Sequence, residues 1–139
     1  MMYIVSSCLV GLNCKYNGEN NYNEKVIDFL KDKEFIIACP EQLGGLSTPR
    51  PKSEIRGDCV KNEFGKDVTE QFEKGAVEAL KIAKMFNCTH AILKEKSPSC
   101  GVCEIYDGTF SGMRIEGMGR TTELLKSNEI IIMSEKDLD

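Results

Sequence analysis

Length, composition and charge limit what this chain can be. Its 139 residues predict a single domain (1–139), and 41% hydrophobic with 29% charged residues is ordinary for a globular protein. The formal net charge of −4 argues against broad binding to duplex DNA. No apolar run approaches the ~20 residues of a membrane span, and the residues before the first predicted strand lack the charged and apolar regions of a signal peptide. We therefore expect a cytoplasmic protein.

Seven cysteines are the most unusual feature of the composition. Disulfides are disfavoured in a reducing compartment, and an odd number of cysteines cannot pair fully within one chain. Some of them are therefore expected to bind metal or to act as reactive thiols. The others are expected to be buried as small apolar side chains.

The first part of the chain alternates short strands with a helix. Residues 3–5 predict a buried strand that runs towards Cys8. Asn23 is a predicted N-cap for a short helix with apolar residues at helical spacing. Residues 35–38 predict a second strand that stops at Cys39, because Pro40 cannot continue the hydrogen-bond ladder.

The middle of the chain predicts an irregular loop and a long helix. Residues 44–65 contain Pro49 and Pro51 on either side of Arg50 and predict a long loop. Asp67 and Glu70 predict a capping box for a helix of about 18 residues. One face of that helix is expected to be apolar, formed by Phe72, Ala76, Ala79, Leu80 and Ala83.

The last part predicts two more strands and a final helix. Residues 90–93 form the third predicted strand, and residues 104–110 predict a turn or hairpin at Asp107-Gly108. A helix over 120–126 and a strand over 130–132 complete the chain. Apolar strands alternating with helices predict a single compact three-layer α/β domain, a Rossmann-like fold with a mostly parallel sheet.

Three cysteines follow three of these strands. Cys8 follows the first, Cys39 the second and Cys100 the third. Open parallel sheets bind ligands beyond the carboxyl ends of their strands, so the three thiols are expected to meet there. Three thiolates suit a four-iron cluster in which one iron lacks a protein ligand. Zinc is the nearest competitor, and simple burial of all three is the other alternative.

Two polar residues lie next to these cysteines. Glu41 comes two positions after Cys39 and is a candidate general acid or base, although it also suits the start of a helix. Ser97 comes three positions before Cys100 and is a candidate partner, although it also suits a turn beside Pro98.

Other residues give weaker signals. Cys103 forms a C-x-x-C pair with Cys100, but no second pair completes a metal site. Cys14, Cys59 and Cys88 are not expected to be ligands, and Cys88 is expected to pack at a helix end. His90, which leads into a strand, is expected to be structural. The glycines of residues 117–119 suggest an anion site at the start of the final helix.

Five blocks of the sequence, in order, resemble the thiouracil and tRNA 4-thiouridine desulfidases. The blocks are Ser6-Ser7-Cys8-Leu9-Val10-Gly11, Cys39-Pro40-Glu41-Gln42-Leu43-Gly44-Gly45-Leu46, Pro49-Arg50-Pro51, Ser97-Pro98-Ser99-Cys100-Gly101 and Ile105-Tyr106-Asp107-Gly108-Thr109-Phe110. Together they cover nearly the whole chain. Cys14, Lys15 and Cys103 depart from the pattern.

The resemblance implies a compact α/β enzyme with a 4Fe-4S cluster on Cys8, Cys39 and Cys100. It further implies that Glu41 and a serine, Ser97 with Ser99 as its rival, act beside the cluster. The implied reaction is a non-redox desulfuration that replaces the sulfur of a thiolated pyrimidine by oxygen and releases sulfide. The substrate would be thiouracil or 4-thiouridine, as a free base, a nucleoside or part of a tRNA.

Two alternatives remain at this stage. One is a zinc- or thiol-based protein whose cysteines serve structure or redox sensing. The other is a non-catalytic RNA-associated module that uses Arg50, Lys52 and Lys94. The sequence does not fix the oligomeric state.

Overall fold

The computed structural model describes residues 1–138, which form eight strands and four α-helices. In chain order these are β1 (Met2–Ser6), α1 (Glu24–Leu30), β2 (Glu34–Ala38), α2 (Pro40–Leu43), β3 (Ser53–Arg56), β4 (Cys59–Asn62), α3 (Thr69–Met85), β5 (Cys88–Leu93), β6 (Glu104–Tyr106), β7 (Arg114–Glu116), α4 (Arg120–Ser127) and β8 (Ile131–Ser134). Two 3-10 turns, Ser7–Val10 and Glu135–Leu138, follow β1 and β8.

The central sheet has four parallel strands in the order β2-β1-β5-β8. On one face, Val26 and Leu30 of α1 pack against apolar side chains of β1 and β5. On the other face, Ala83 of α3 and Leu125 of α4 pack against Ile4 and other strand residues. The predicted three-layer α/β fold is confirmed. Because the strands are parallel, their carboxyl ends lie along one edge of the sheet.

The prediction of an irregular loop over residues 44–65 is wrong. This segment contains β3 and β4, an antiparallel hairpin in which Arg56 pairs with Cys59 around a glycine with φ of 62°. Ile55 and Val60 point into a small core with Phe72 of α3. The sequence did not predict the hairpin, because its strands are only four residues long and their one or two apolar residues each are too few to show an alternating pattern.

The long helix is confirmed, but its predicted capping box is wrong. α3 has 17 residues, and its N-cap is Val68, whose side chain cannot cap. Asp67 instead accepts a hydrogen bond from the Thr69 N–H at 2.9 Å, and Thr69 Oγ1 accepts one from the Val60 N–H at 2.8 Å. The start of the helix is therefore fixed to β4.

Two glycines let α2 and α3 come into backbone contact. A Cβ atom on Gly44 would lie 1.9 Å from the Gln71 carbonyl oxygen, and one on Gly75 would lie 2.0 Å from that of Pro40. No side chain fits at either position without a shift of one helix. The short helix α2 is thus held directly against α3.

Three further expectations need correction. The hairpin of β6 and β7 has a loop over residues 107–113 rather than a tight turn at Asp107-Gly108. Cys88 begins β5 and does not lie at a helix end. The first N–H groups of α4 donate to the carbonyls of Pro98 and Ser99, at 3.0 and 2.9 Å, so they are not free for an anion. None of the helices described in residues 1–138 is long and apolar enough to cross a membrane.

Candidate active site

A cleft of about 630 Å³ opens at the carboxyl ends of the sheet strands. Its walls include all five residues that the sequence singled out, namely Cys8, Cys39, Cys100, Glu41 and Ser97. They come from three separate segments, after β1, β2 and β5. The parallel topology brings these segments together.

Local structure fixes the first two cysteines. Cys8 lies in the 3-10 turn after β1, which ends at Gly11 with φ of 102° and an N–H that donates to the Cys8 carbonyl. Cys39 is the N-cap residue of α2, and Pro40 occupies the first helical position, where its missing N–H costs nothing. The registered pairing of Ser6 with Ala38 sets the two cysteines side by side.

A fourth thiol, Cys14, lies between them. Cys14 is buried, the Cys39 thiol donates to the Cys14 carbonyl at 3.8 Å, and the Cys14 thiol interacts with those of Cys8 and Cys39. The Cys14 hydrogen bond lowers the pKa of Cys39 to about 7 and is also the main cause of a lowered pKa at Cys8, in both cases against the effect of burial. The same contacts raise the pKa of Cys14. These interactions favour the thiolate at Cys8 and Cys39 over Cys14, and the thiolate is the form that binds metal.

Cys100 is fully buried in a loop between β5 and β6. Burial raises the pKa of its thiol to about 12, although hydrogen bonds with Ser6 and Ser99 oppose the shift. A metal ion bound to a thiol removes its proton outright, so a raised pKa does not exclude ligation. The Cys100 thiol can therefore act as a metal ligand that is neutral without metal and becomes a thiolate when metal binds.

Glu95 holds the loop that carries Cys100. Its carboxylate is 4% exposed, and Oε1 accepts hydrogen bonds from the N–H groups of Val102, Cys103 and Glu104 at 2.7, 2.9 and 3.1 Å. Burial disfavours the charged form, but these N–H groups outweigh burial and lower the pKa of Glu95. The loop is thus folded around one buried carboxylate.

Replacing Glu95 should destabilise the protein. Glu95→Ala leaves three N–H groups without their acceptor, so we expect the free energy of unfolding to fall by about 3 kcal/mol or more. Urea unfolding of anaerobically purified protein, followed by circular dichroism, measures the loss. Glu104→Ala is a matched control, because the Glu104 carboxylate is half exposed and its ion pair with Arg114 is long, at 3.7 Å. Equal stability of the two variants would contradict this role of Glu95.

The same interaction predicts a pH dependence. Because folding lowers the pKa of Glu95, its stabilising effect is complete above the pKa of the unfolded state. The effect is lost as the pH falls through the lower pKa of the folded state. The stability difference between the wild type and Glu95→Ala should therefore shrink in acid.

Glu41 has a partner on each carboxylate oxygen. Arg50 Nε donates to Oε1 at 3.0 Å, and Ser99 Oγ donates to Oε2 at 2.9 Å. The Arg50 side chain is only 6% exposed and also donates to the Cys14 carbonyl at 2.8 Å. The buried guanidinium therefore ties the carboxylate to the segment that carries the fourth thiol.

Two serines form a chain that ends on Glu41. Ser97 Oγ accepts the N–H groups of Ser99 and Cys100, both at 3.1 Å, which uses its two lone pairs. Its own proton then points to Ser99 Oγ, 2.9 Å away, and the Ser99 hydroxyl donates to Glu41. The Ser97 oxygen is 3.5 Å from Glu41, so Ser99 is the direct partner.

The donor set of this cleft fits an iron–sulfur cluster. Within residues 1–138, no group of three His, Cys, Asp or Glu side chains is placed to hold a single metal ion. The zinc alternative thus finds no preformed site in the described part of the chain. Thiolates of a cuboidal cluster bind different irons and need not surround one point. Cys8, Cys39 and Cys100 lie on the walls of one cleft, as three ligands of one cluster would have to.

Most residues with weaker sequence signals lie away from the cleft walls. Cys103 is exposed, and Cys59 and Cys88 are half-buried on β4 and β5. His90 packs against the Tyr3 ring with centroids 5.1 Å apart, as expected for a structural histidine. The sequence reasoning missed Cys14 as a member of the site and Arg50 as the partner of Glu41. The close spacing of Cys8 and Cys14 was the available signal for the former.

Comparisons with known proteins agree on one family. The model of the 2-thiouracil desulfurase family matches residues 3–137. The chain is 44% identical to the uncharacterized protein YbbK of Bacillus subtilis (strain 168), and the match covers 99% of this chain and 98% of that protein. It is also similar to a solved structure of the 4Fe-4S-dependent thiouracil desulfidase TudS. That match has a TM-score of 0.93 and 41% identity, and covers 99% of this chain and 92% of TudS.

Proposed function

This chain belongs to the 2-thiouracil desulfurase family, and we propose that it is an iron–sulfur-dependent enzyme that desulfurates a thiolated pyrimidine. The observation that carries the proposal is the meeting of three thiols and a paired carboxylate in one cleft. In the proposed reaction, water supplies oxygen to the thiocarbonyl carbon and the carbon–sulfur bond breaks. Sulfur leaves as hydrogen sulfide with both protons of the water. The reaction needs no electron donor.

Cys8, Cys39 and Cys100 are the proposed ligands of a 4Fe-4S cluster. When bound, such a cluster supplies an iron without a protein ligand, a Lewis acid soft enough to prefer sulfur over oxygen. The lowered pKa of Cys8 and Cys39 supports their assignment, because ligation needs thiolates. Ser99 Oγ lies 3.6 Å from Cys100 Sγ, so the third thiol adjoins the serine chain.

Glu41 is the proposed general base or acid, and Ser97 supports it. The carboxylate can accept a proton from the attacking water or protonate the ring nitrogen. Arg50 fixes the orientation of one oxygen, and the other oxygen ends the hydrogen-bonded chain from Ser97 through Ser99. This chain offers a path along which a proton can move to or from Glu41. The role assigned to Ser97 therefore depends on Ser99.

The proposed substrate range follows the family resemblance. It includes thiouracil and 4-thiouridine, as base, nucleoside or part of a tRNA, and the last would make the protein act on modified tRNA. Lys15, Lys52 and Lys96 on the cleft walls favour the tRNA form, because they can pair with its phosphates, which the base and the nucleoside lack. We propose a cytoplasmic location, because the seven cysteines are free thiols. We also propose that residues 1–139 form one domain, because one central sheet has both of its faces covered.

Anaerobic purification and a sulfide assay test the proposed function. We expect brown protein with iron and acid-labile sulfide, and stoichiometric release of sulfide and uracil from 2-thiouracil. Removal of iron by a chelator should abolish the release, and reconstitution should restore it. Zinc alone in the purified protein would favour a structural or redox role. Equal binding of thiolated and ordinary RNA without sulfide release would favour an RNA-associated module.

A further inference from the structure

Phe110 lies on the cleft wall in a backbone conformation that bulky residues rarely adopt. Its φ is 57°, in the left-handed region. A phenylalanine stays there only where the surrounding structure imposes the conformation, and such residues concentrate at functional sites. The residue is 37% exposed and lines the cleft.

Buried Glu54 imposes this conformation. The residue is 8% exposed, and its Oε1 accepts the N–H groups of Gly108 at 3.0 Å and Phe110 at 3.1 Å. Asp107 closes the same loop, because its side chain accepts the Thr109 N–H at 3.0 Å and its own N–H donates to the Met113 carbonyl at 3.0 Å. The loop is thus held in place before a ligand arrives.

Close packing fixes the loop against β3 as well. Gly108 has φ of 91°, and a Cβ atom there would lie 2.6 Å from the Arg56 Cβ and 2.8 Å from the Ile55 carbonyl oxygen. The loop backbone therefore rests directly on the strand that carries Glu54. An aromatic ring presented from such a rigid support loses little freedom when it binds a flat ligand.

Two other aromatic residues, Tyr16 and Tyr106, line the cleft, and the Tyr16 ring already has cationic neighbours. The ammonium groups of Lys15 and Lys52 lie 5.7 and 5.6 Å from the centre of the Tyr16 ring. Tyr106 is a half-buried residue of β6, in register with Arg114. In the part of the chain that the structure describes, the Phe110 ring has no aromatic or cationic neighbour of this kind. Part of the Phe110 side chain is open to the cleft, where a ligand can reach it.

We propose that Phe110 is the ring on which the thiolated pyrimidine stacks. The contact selects a flat heteroaromatic thiocarbonyl over an aliphatic one, so Phe110 is a specificity-determining residue. This inference rests on the proposed function. Stacking of a base on an aromatic side chain contributes about 5- to 150-fold in affinity.

Two substitutions at Phe110 test the contact. Phe110→Leu keeps an apolar side chain without the ring, and we expect the KM for 2-thiouracil to rise about tenfold while kcat changes much less. The inhibition constant of uracil should rise in parallel, because uracil has the same ring without the sulfur. Phe110→Tyr should restore both constants. Phe64→Leu, at a phenylalanine that is 79% exposed and outside the cleft walls, is the matched control.

The outcomes separate this inference from the proposed function. If the wild type releases sulfide but Phe110→Leu leaves both constants unchanged, or Phe110→Tyr is equally impaired, the stacking contact is wrong and the function stands. If the wild type releases no sulfide, the proposed function is wrong. The stacking contact is then tested separately, by measuring uracil binding with ligand-observed NMR. Weaker uracil binding by Phe110→Leu than by the wild type supports stacking. Equal binding by the two proteins, or no binding by either, overturns it.

Discussion

Glu41→Gln is expected to lower sulfide release from 2-thiouracil by about 10²- to 10⁴-fold, the usual contribution of a positioned acid or base. The amide keeps the shape of the carboxylate, and its oxygen can still accept the Ser99 hydroxyl. Its NH2 group cannot accept from Arg50, and the side chain cannot take up or give a proton at neutral pH. Iron content and the visible spectrum should be unchanged, because Glu41 is not a proposed ligand. Single-turnover assays on anaerobic protein measure the chemical step directly.

Glu73→Gln on the exposed side of α3 is the matched control for this prediction. It makes the same change in charge and should leave the rate unchanged. A Glu41→Gln protein that retains the wild-type rate would remove Glu41 from the chemistry. A Glu41→Gln protein that loses its iron would show that the carboxylate supports the cluster instead.

Single replacement of Cys8, Cys39 or Cys100 by alanine is expected to reduce bound iron to background. Each thiol would be one of only three protein ligands, so its loss removes a third of the attachment of the cluster to the protein. Iron and acid-labile sulfide per chain, measured after anaerobic purification, give the result. Circular dichroism checks that each variant keeps its secondary structure.

Other cysteines of the same chain provide the controls. Cys59→Ala and Cys103→Ala remove thiols outside the cleft walls and should retain full iron. Cys14→Ala is the sharper comparison, because Cys14 contacts Cys8 and Cys39 yet is not a proposed ligand. It should retain iron too. Complete loss of iron from Cys14→Ala, with full iron in Cys100→Ala, would show that the ligand set is assigned wrongly.

The central sheet and its functional edge were predictable because they depend on short-range patterns. Apolar strands followed by helices specify a parallel sheet, and the residues that follow parallel strands lie at the same edge of that sheet. Cys8 and Cys39 needed only the positions of β1 and β2 to be placed together. The cap at Asn23 was likewise local, since its side chain accepts two N–H groups of the helix that it begins.

The partners of the site residues could not be predicted, because long-range packing decides them. Arg50 was recognised only as a basic residue between two prolines, and its hydrogen bond with Glu41 depends on how the loop before β3 folds over α2. Ser99 and Ser97 are both plausible by sequence. Only the path of the loop around Glu95 gives Ser99 the shorter contact with Glu41. The buried acids Glu54 and Glu95 have no sequence signal at all.

The backbone contact of Gly44 with α3 bears on how this protein can be engineered. Cys39 and Glu41 lie at the start of α2, which is only four residues long. The distance between α2 and α3 is set by direct backbone contact, with no side chain between them at Gly44 or Gly75. A methyl group at Gly44 or Gly75 would push α2 outwards and carry both residues with it. Libraries aimed at new substrates should therefore vary the loop of Phe110 and leave these two glycines fixed, although neither touches a ligand.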